Sequence, residues 1–337
     1  MRKVKTKNKL NPVLTLMLIA TPLLLVFVSL FFGRYSVSPA NVCSALLRPG
    51  SVSPAVLTVV RQLRLPRAIA AAFVGASLSV SGAAFQSIFR NPLVNSGILG
   101  VSNGAGFGAC LAIVFLGGGL TVYFSSFAFA LLAVVLSWFA GRVSKVTSTV
   151  SLILGGAMVS AFFSALISIM KFLADPYSQL PGITFWLMGS FASINYSHLT
   201  AVIPMALGIL AVFLSRWKIN VLSMGDKEAA SLGVDVRKYK LLVITGATVA
   251  TASAVCISGT IGWVGLVIPH IGRMLIGNNN SKLIPVSISL GACFMIVMDL
   301  IARSLTSSEL PIGILCAVIG SPFFVYLLKK KKGGTVS

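Results

Sequence analysis

Few side chains in this 337-residue sequence could do chemistry, and their placement narrows what that chemistry is. There are two histidines, six carboxylates and five cysteines. No two acids are spaced as an acid–base pair, no phosphate-binding glycine loop leads to a lysine, and the cysteines lack CxxC or zinc-ligand spacing. The chain is therefore expected to be no enzyme: it holds no metal set and cannot hydrolyse ATP by itself. Gly100, Gly104, Gly106 and Gly108 imitate a dinucleotide fingerprint in spacing only; no strand precedes them, and they read as packing positions on a helix.

Three polar groupings remain. The stretch 216–240, RWKINVLSMGDKEAASLGVDVRKYK, holds three of the six acids. Within its core 225–233, Asp226 is placed to N-cap a short helix beginning at Lys227, Glu228 falls in the first turn, and Gly233 supplies a left-handed stop. The small residues Ala229, Ala230 and Ser231, with Leu232 as an apolar tip, suit close approach to a partner. After the Gly225 turn, this reads as a docking helix for a soluble motor. The second grouping is Asp299, the only acid deep in an apolar run, with Arg303 one helical turn on; the pairing neutralises a costly buried charge and reads as a structural ion pair rather than a proton relay. The third is Gln86, Asn91, Pro92 and Asn95, where a helix is interrupted. Irregular backbone at membrane depth survives only against protein or a water-filled cavity. These residues line a pathway or inner gate, or else simply cap helices. His270, between Pro269 and Arg273, reads as a helix-end hydrogen-bonding group.

The elements that must position these groups are set by composition. Hydrophobic residues make up 56% and charged residues 10% of the chain, against about 25% charged in soluble domains. The fold class expected is an all-α polytopic membrane protein. Charge-free intervals give ten spans, near 12–33, 66–89, 98–116, 120–141, 148–172, 198–215, 241–262, a short one within 263–282 broken near Pro269, 282–303 and 311–328. The first run is long and lacks a clear cleavage site, so it is read as a retained span. Ten spans put both termini on one side. Both are basic, which makes the tails 1–11 and 329–337 cytoplasmic, flanking a permease domain 12–328 whose loop 216–240 is also cytoplasmic. The net charge of +21 thus marks topology, and no basic face interleaved with aromatics points to nucleic acid.

An internal repeat is visible. RAIAAAFVGASLSVSG (67–82) and KYKLLVITGATVATAS (238–253) align at Gly75-Ala76 and Gly246-Ala247, and each is followed by a glycine-rich, proline-broken stretch. Lying five spans apart, they are oppositely oriented, giving two inverted five-helix repeats, a transporter signature. On this topology seven basic residues, Arg34, Arg48, Arg61, Arg64, Arg67, Lys171 and Arg303, fall outside against the charge bias. Arg64, Arg67 and Arg303 either snorkel at helix ends or receive acidic residues of a soluble partner.

Taken in order, RLPR (64–67), VGASLSVSGAAFQSIFRNPLV (74–94), LGVSNGA (99–105), WLMGS (186–190), GDKEAASLGV (225–234), GLVIPHIGR (265–273), DLIAR (299–303) and ELPIG (309–313) resemble the FecCD family, permease subunits of bacterial importers of the ATP-binding-cassette (ABC) class for ferric siderophores, haem and cobalamin. The resemblance implies a type II ABC importer permease in the bacterial cytoplasmic membrane. It implies pairing with an identical or homologous permease subunit around the translocation path, and two ATPase subunits that receive 225–233 and use the ATP and Mg, no cofactor being bound by this chain. It further implies an extracytoplasmic substrate-binding protein whose acids meet Arg64, Arg67 and Arg303. The expected cargo is a ferric siderophore, with haem and cobalamin as alternatives. From another class, an ion-coupled secondary transporter would share inverted repeats, but needs intramembrane carboxylates, of which Asp299 is the sole candidate.

Overall fold

The computed structural model describes residues 11–141, 149–306 and 308–332; the basic residues expected at 1–10, Arg142 and Lys145 lie outside them. Every regular element among the described residues is helical. In hydrocarbon there is no water to take up free N–H and C=O groups, so an apolar run must satisfy its backbone within itself. The elements are α1 (Pro12–Ser29), α2 (Pro39–Leu47), α3 (Pro54–Leu57), a π-helical turn (Thr58–Arg64), α4 (Leu65–Ile88), α5 (Val101–Phe115), α6 (Leu120–Ala140), α7 (Thr149–Leu173), α8 (Gln179–Met188), α9 (Val202–Leu214), α10 (Arg216–Leu222), α11 (Asp226–Ser231), α12 (Val236–Ser258), α13 (Val264–Ile276), α14 (Asn280–Ser304) and α15 (Ile312–Lys332). Among the described residues, seven helical stretches are long and apolar enough to cross a bilayer, and three shorter apolar helices, α5, α13 and the first part of α15, stand where the remaining expected spans lie.

Three local expectations are corrected. The second span begins not at Pro66 but at Pro54, because the π turn carries the helix through: Pro66 falls where the π turn hands over to α-helix, so its missing N–H breaks no regular ladder. The intervals between the expected spans at 34–65 and 173–197 carry further helices, α2 and α8 among them. Ser38 caps α2, whose Val42 and Ala45 pack on Leu30, Val37 and Val60. Third, the short span is not broken at Pro269. Its helix runs through the proline, and the interruption precedes it, at 259–263, where Gly259 (φ +68°) and Trp263 (φ +69°) take left-handed backbone. Pro269 cannot donate to the Gly265 carbonyl, but Gln86 Nε2 does so at 3.1 Å from α4, which makes the proline tolerable.

The centre of the bundle is α4 and α12, buried over most of their length. They pack against each other, and each packs on the short and long helices of the opposite half: α4 on α13 and α14, α12 on α5 and α6. That exchange is what two oppositely oriented halves require. Contacts are close because they are made by small residues: a Cβ on Gly82 would stand 1.8 Å from the Gly265 oxygen, and one on Gly75 2.0 Å from the Gly291 oxygen. Gly82→Val is therefore expected to force α4 from α13 at a cost of about 3 kcal/mol or more, at the upper end of overpacking penalties. Gly182→Ala, with open space around it, should leave the unfolding midpoint unchanged in detergent. Equal midpoints for the two variants would contradict the packing.

Candidate functional site

The polar groups collect at the two ends of the bundle. At one end, α10 and α11 form a short hairpin leading into α12. Gly225 (φ +137°) makes the entry turn and Gly233 (φ +75°) the exit, the left-handed stop expected. Ala229 is fully buried among Val221, Leu222 and Val234, clamping α11 to the bundle. Two readings change here. Asp226 does not cap the helix; Gly225 takes that position, and Asp226 opens the first turn with its carboxylate 2.7 Å from Lys240 Nζ. Ala229, expected on a contact surface, faces inward. The outward face is formed by Lys227, Glu228, Ala230 and Leu232, the last 60% exposed. Met224, 59% exposed, joins it and was missed, although its place just before the glycine turn put it beside the helix.

Beside this hairpin lies a cavity of about 660 Å³ lined in part by Gln86, Arg90, Asn91, Pro92, His270 and Arg273. Three of the four residues expected at a pathway or gate thus meet there. Asn95 does not; its carboxamide oxygen accepts from Gly97 N–H at 3.0 Å and holds the α4–α5 turn. Gln86 is fixed from both sides. Its Nε2 donates to the carbonyls of Val94 (3.0 Å) and Gly265, and its Oε1 accepts from Arg273 Nη2. The Asn91 side chain accepts from Leu93 N–H at 2.9 Å, a local turn bond, so capping and lining coexist.

At the opposite end the three arginines expected on a free outer surface are buried: Arg64, Arg67 and Arg303 are 4%, 8% and 5% exposed. Arg67 Nε donates to Asp299 Oδ1 at 2.7 Å, and its Nη1 reaches both Glu309 oxygens at 2.9 and 3.0 Å. Arg303 Nε stands 3.6 Å from Asp299 Oδ2 while its Nη2 donates to the Ser29 carbonyl. Arg64 Nη1 donates to the Leu30 carbonyl at 2.7 Å. The structural pair read between Asp299 and Arg303 is present but is its looser half; Arg67, 232 residues away in sequence, is the principal partner. Burial of a carboxylate demands compensation, and two helix ends meeting around one acid supply it. The expectation of free outer charges is corrected accordingly: the three guanidinium groups are engaged within the chain. Arg34 and Arg48 are the exposed arginines of that end.

The described residues form a bundle of helices apolar enough to cross a membrane, in two exchanged halves with a short exposed hairpin at one end, the architecture of a polytopic membrane protein. The chain belongs to the FecCD transport family, whose sequence model matches residues 19–330. That match begins well before the Arg64 motif, inside α1. The chain is 43% identical over 331 residues to a molybdate import system permease protein of Haemophilus influenzae, covering 95% of this chain and 96% of the relative. It is 40% identical over 278 residues to a Helicobacter pylori protein named "Probable iron chelatin transport system permease protein", covering 82% and 83%. A solved inward-facing structure of a metal-chelate type ABC transporter superposes with a TM-score of 0.85 at 40% identity, over 95% of this chain and all of that one.

Proposed function

We propose that the chain is the membrane-spanning subunit of an ABC importer, working as a pair with a second permease subunit. Two separate ATPase subunits dock on its α11 hairpins from the cytoplasm and use the ATP and Mg. The observation that carries this reading is the hairpin itself: α11 is too short to serve as a span, is bolted to α12 through Ala229 and the Asp226–Lys240 pair, and presents Leu232 and Met224 outward. A force on it passes to α12, the centre of the bundle. On this reading the α11 end and both termini are cytoplasmic in a bacterial cytoplasmic membrane, and the α2 end faces an extracytoplasmic binding protein.

Docking of that protein's carboxylates begins at Arg34 and Arg48; Arg67 joins only if Glu309 gives way. Arg34→Glu with Arg48→Glu should slow association with the binding protein about 10-fold at low salt, and the difference should fade as salt is raised. An association rate equal to that of the unaltered chain at low salt, measured by stopped flow on nanodisc-embedded protein, would remove this docking surface.

The cargo is read as a ferric siderophore, supported by relatives named for iron chelates. A molybdate oxyanion is a second reading, favoured by the full-length similarity to a molybdate permease. Uptake of labelled molybdate against a panel of labelled ferric chelates, in cells with and without the gene, separates them: gene-dependent uptake of molybdate alone would overturn the siderophore reading.

A further inference from the structure

The cavity beside α11 is walled by cations and hydrogen-bond donors with no carboxylate among its lining residues. Arg90 reaches it from the α4–α5 turn and Arg273 from the last turn of α13. All six carboxylates of the chain lie within the described residues, and the ion pairs formed among those residues involve neither arginine. Arg273 is half-buried. Of its five N–H donors, the bond to Gln86 Oε1 is the one made to the described residues. Gln86 is locked by its own bonds to Val94 and Gly265, so the guanidinium is held in place rather than drifting to bulk water.

A half-buried guanidinium without a counter-charge is costly, and topology alone does not ask for it. The charge bias of a cytoplasmic loop is satisfied by exposed residues such as Arg237 and Lys238. Guanidinium forks match the oxygen pairs of phosphate-like anions. The side chains of Asn91 and Asn280 on the same wall add amide groups, while the Ser87 hydroxyl is already donated to the Ala83 carbonyl and Asn280 Oδ1. The volume, about 660 Å³, falls in the range of small-molecule sites, roughly 300–1,000 Å³, and leaves room for a hydrated ion.

We propose that this cavity is an anion site for a tetrahedral oxyanion held by Arg273 and Arg90. Two sources share that chemistry: inorganic phosphate, and a metal oxyanion such as molybdate. The site stands next to the docking hairpin. A Cβ on Gly225 would lie 3.5 Å from Arg90 Nη1 and 2.1 Å from Glu228 Oε2, so the Glu228 carboxylate is Arg90's neighbour at the entry turn of α11, and a bound oxyanion would compete with it for that guanidinium. The inference stands on the cavity alone and is independent of the cargo reading.

Equilibrium binding of radiolabelled phosphate, molybdate and sulfate to the purified full-length chain in nanodiscs, without ATP or partners, tests it. Saturable binding of at least one of them is expected. Arg273→Gln should weaken it about 10-fold or more, the loss of one charge-assisted contact, and Arg90→Gln by about 3- to 10-fold. Arg273→Lys should recover part of the loss. Arg90 is exposed and on a turn, so its variant reports even if Arg273→Gln unfolds. Preference for phosphate assigns the site to a product of ATP hydrolysis, and preference for molybdate to the cargo; both uphold an oxyanion site. Absence of saturable binding at millimolar concentrations of all three, or unchanged binding in Arg90→Gln, overturns it.

Discussion

Glu228→Arg, or deletion of residues 226–233, is expected to lower ATP-driven uptake about 100-fold or more while the protein still inserts and folds. Glu228 is exposed in the first turn of α11. Reversing its charge sets a cation at the positive helix end and on the exposed face proposed to receive the motor. Loss of a docking hot spot costs about 2–4 kcal/mol, and about 2.8 kcal/mol is a 100-fold loss. A structural role would give a different pattern. Asp226→Asn breaks the partly exposed pair with Lys240, worth at most about 1 kcal/mol, and should leave uptake within about 5-fold. Uptake assays on both variants, with thermal unfolding as the control for folding, decide the matter. Normal uptake in Glu228→Arg would reduce α11 to a linker.

Asp299→Leu is expected to destabilise the chain by about 3–5 kcal/mol, because it leaves the buried Arg303 with no carboxylate and Arg67 with Glu309 alone. Glu309 then remains as the single carboxylate of the network, and its side chain is 27% exposed, so its own replacement by Gln should cost only about 1 kcal/mol. The triple variant Arg67→Met, Asp299→Leu and Arg303→Met should recover much of the loss, since apolar replacement of all three buried groups removes their desolvation penalties. The comparison is made by denaturant or thermal unfolding in one detergent. It also separates the structural pair from a proton relay. A relay predicts that Asp299→Asn abolishes uptake with stability unchanged; a structural network predicts the reverse order of effects.

Much of this fold was legible because lipid leaves a chain so few choices. Charge-free runs located ten apolar helices, since each charge in hydrocarbon is costly and each backbone group must be bonded. The misreadings share one cause: sequence shows what a residue lacks, but not what a distant residue supplies. Pro269 looked like a break because the donor that serves the Gly265 carbonyl comes from Gln86, far along the chain. Arg64, Arg67 and Arg303 looked like free surface charges because helix ends are where arginines snorkel, whereas Asp299, Glu309 and the carbonyls of Ser29 and Leu30 converge on them only after folding. In the α10–α11 hairpin the existence and glycine boundaries of α11 were local signals and were readable. Which face turns inward was set by packing against Val221 and Leu222, so Ala229 was assigned to the wrong side. Gln86, Asn91 and Pro92 were singled out by polarity and by the helix interruption at the proline; that they share a cavity with Arg90 and Arg273 needed the third dimension.

The central claim is that this chain moves its cargo with energy received through α11 from a separate ATPase. The direct measurement is uptake into proteoliposomes holding the permease pair and its ATPase subunits, supplied with loaded binding protein, with ion gradients collapsed by ionophores. The account predicts uptake that starts on adding ATP and Mg and is lost with Glu228→Arg. Uptake that continues without ATP and follows a proton or sodium gradient would contradict it.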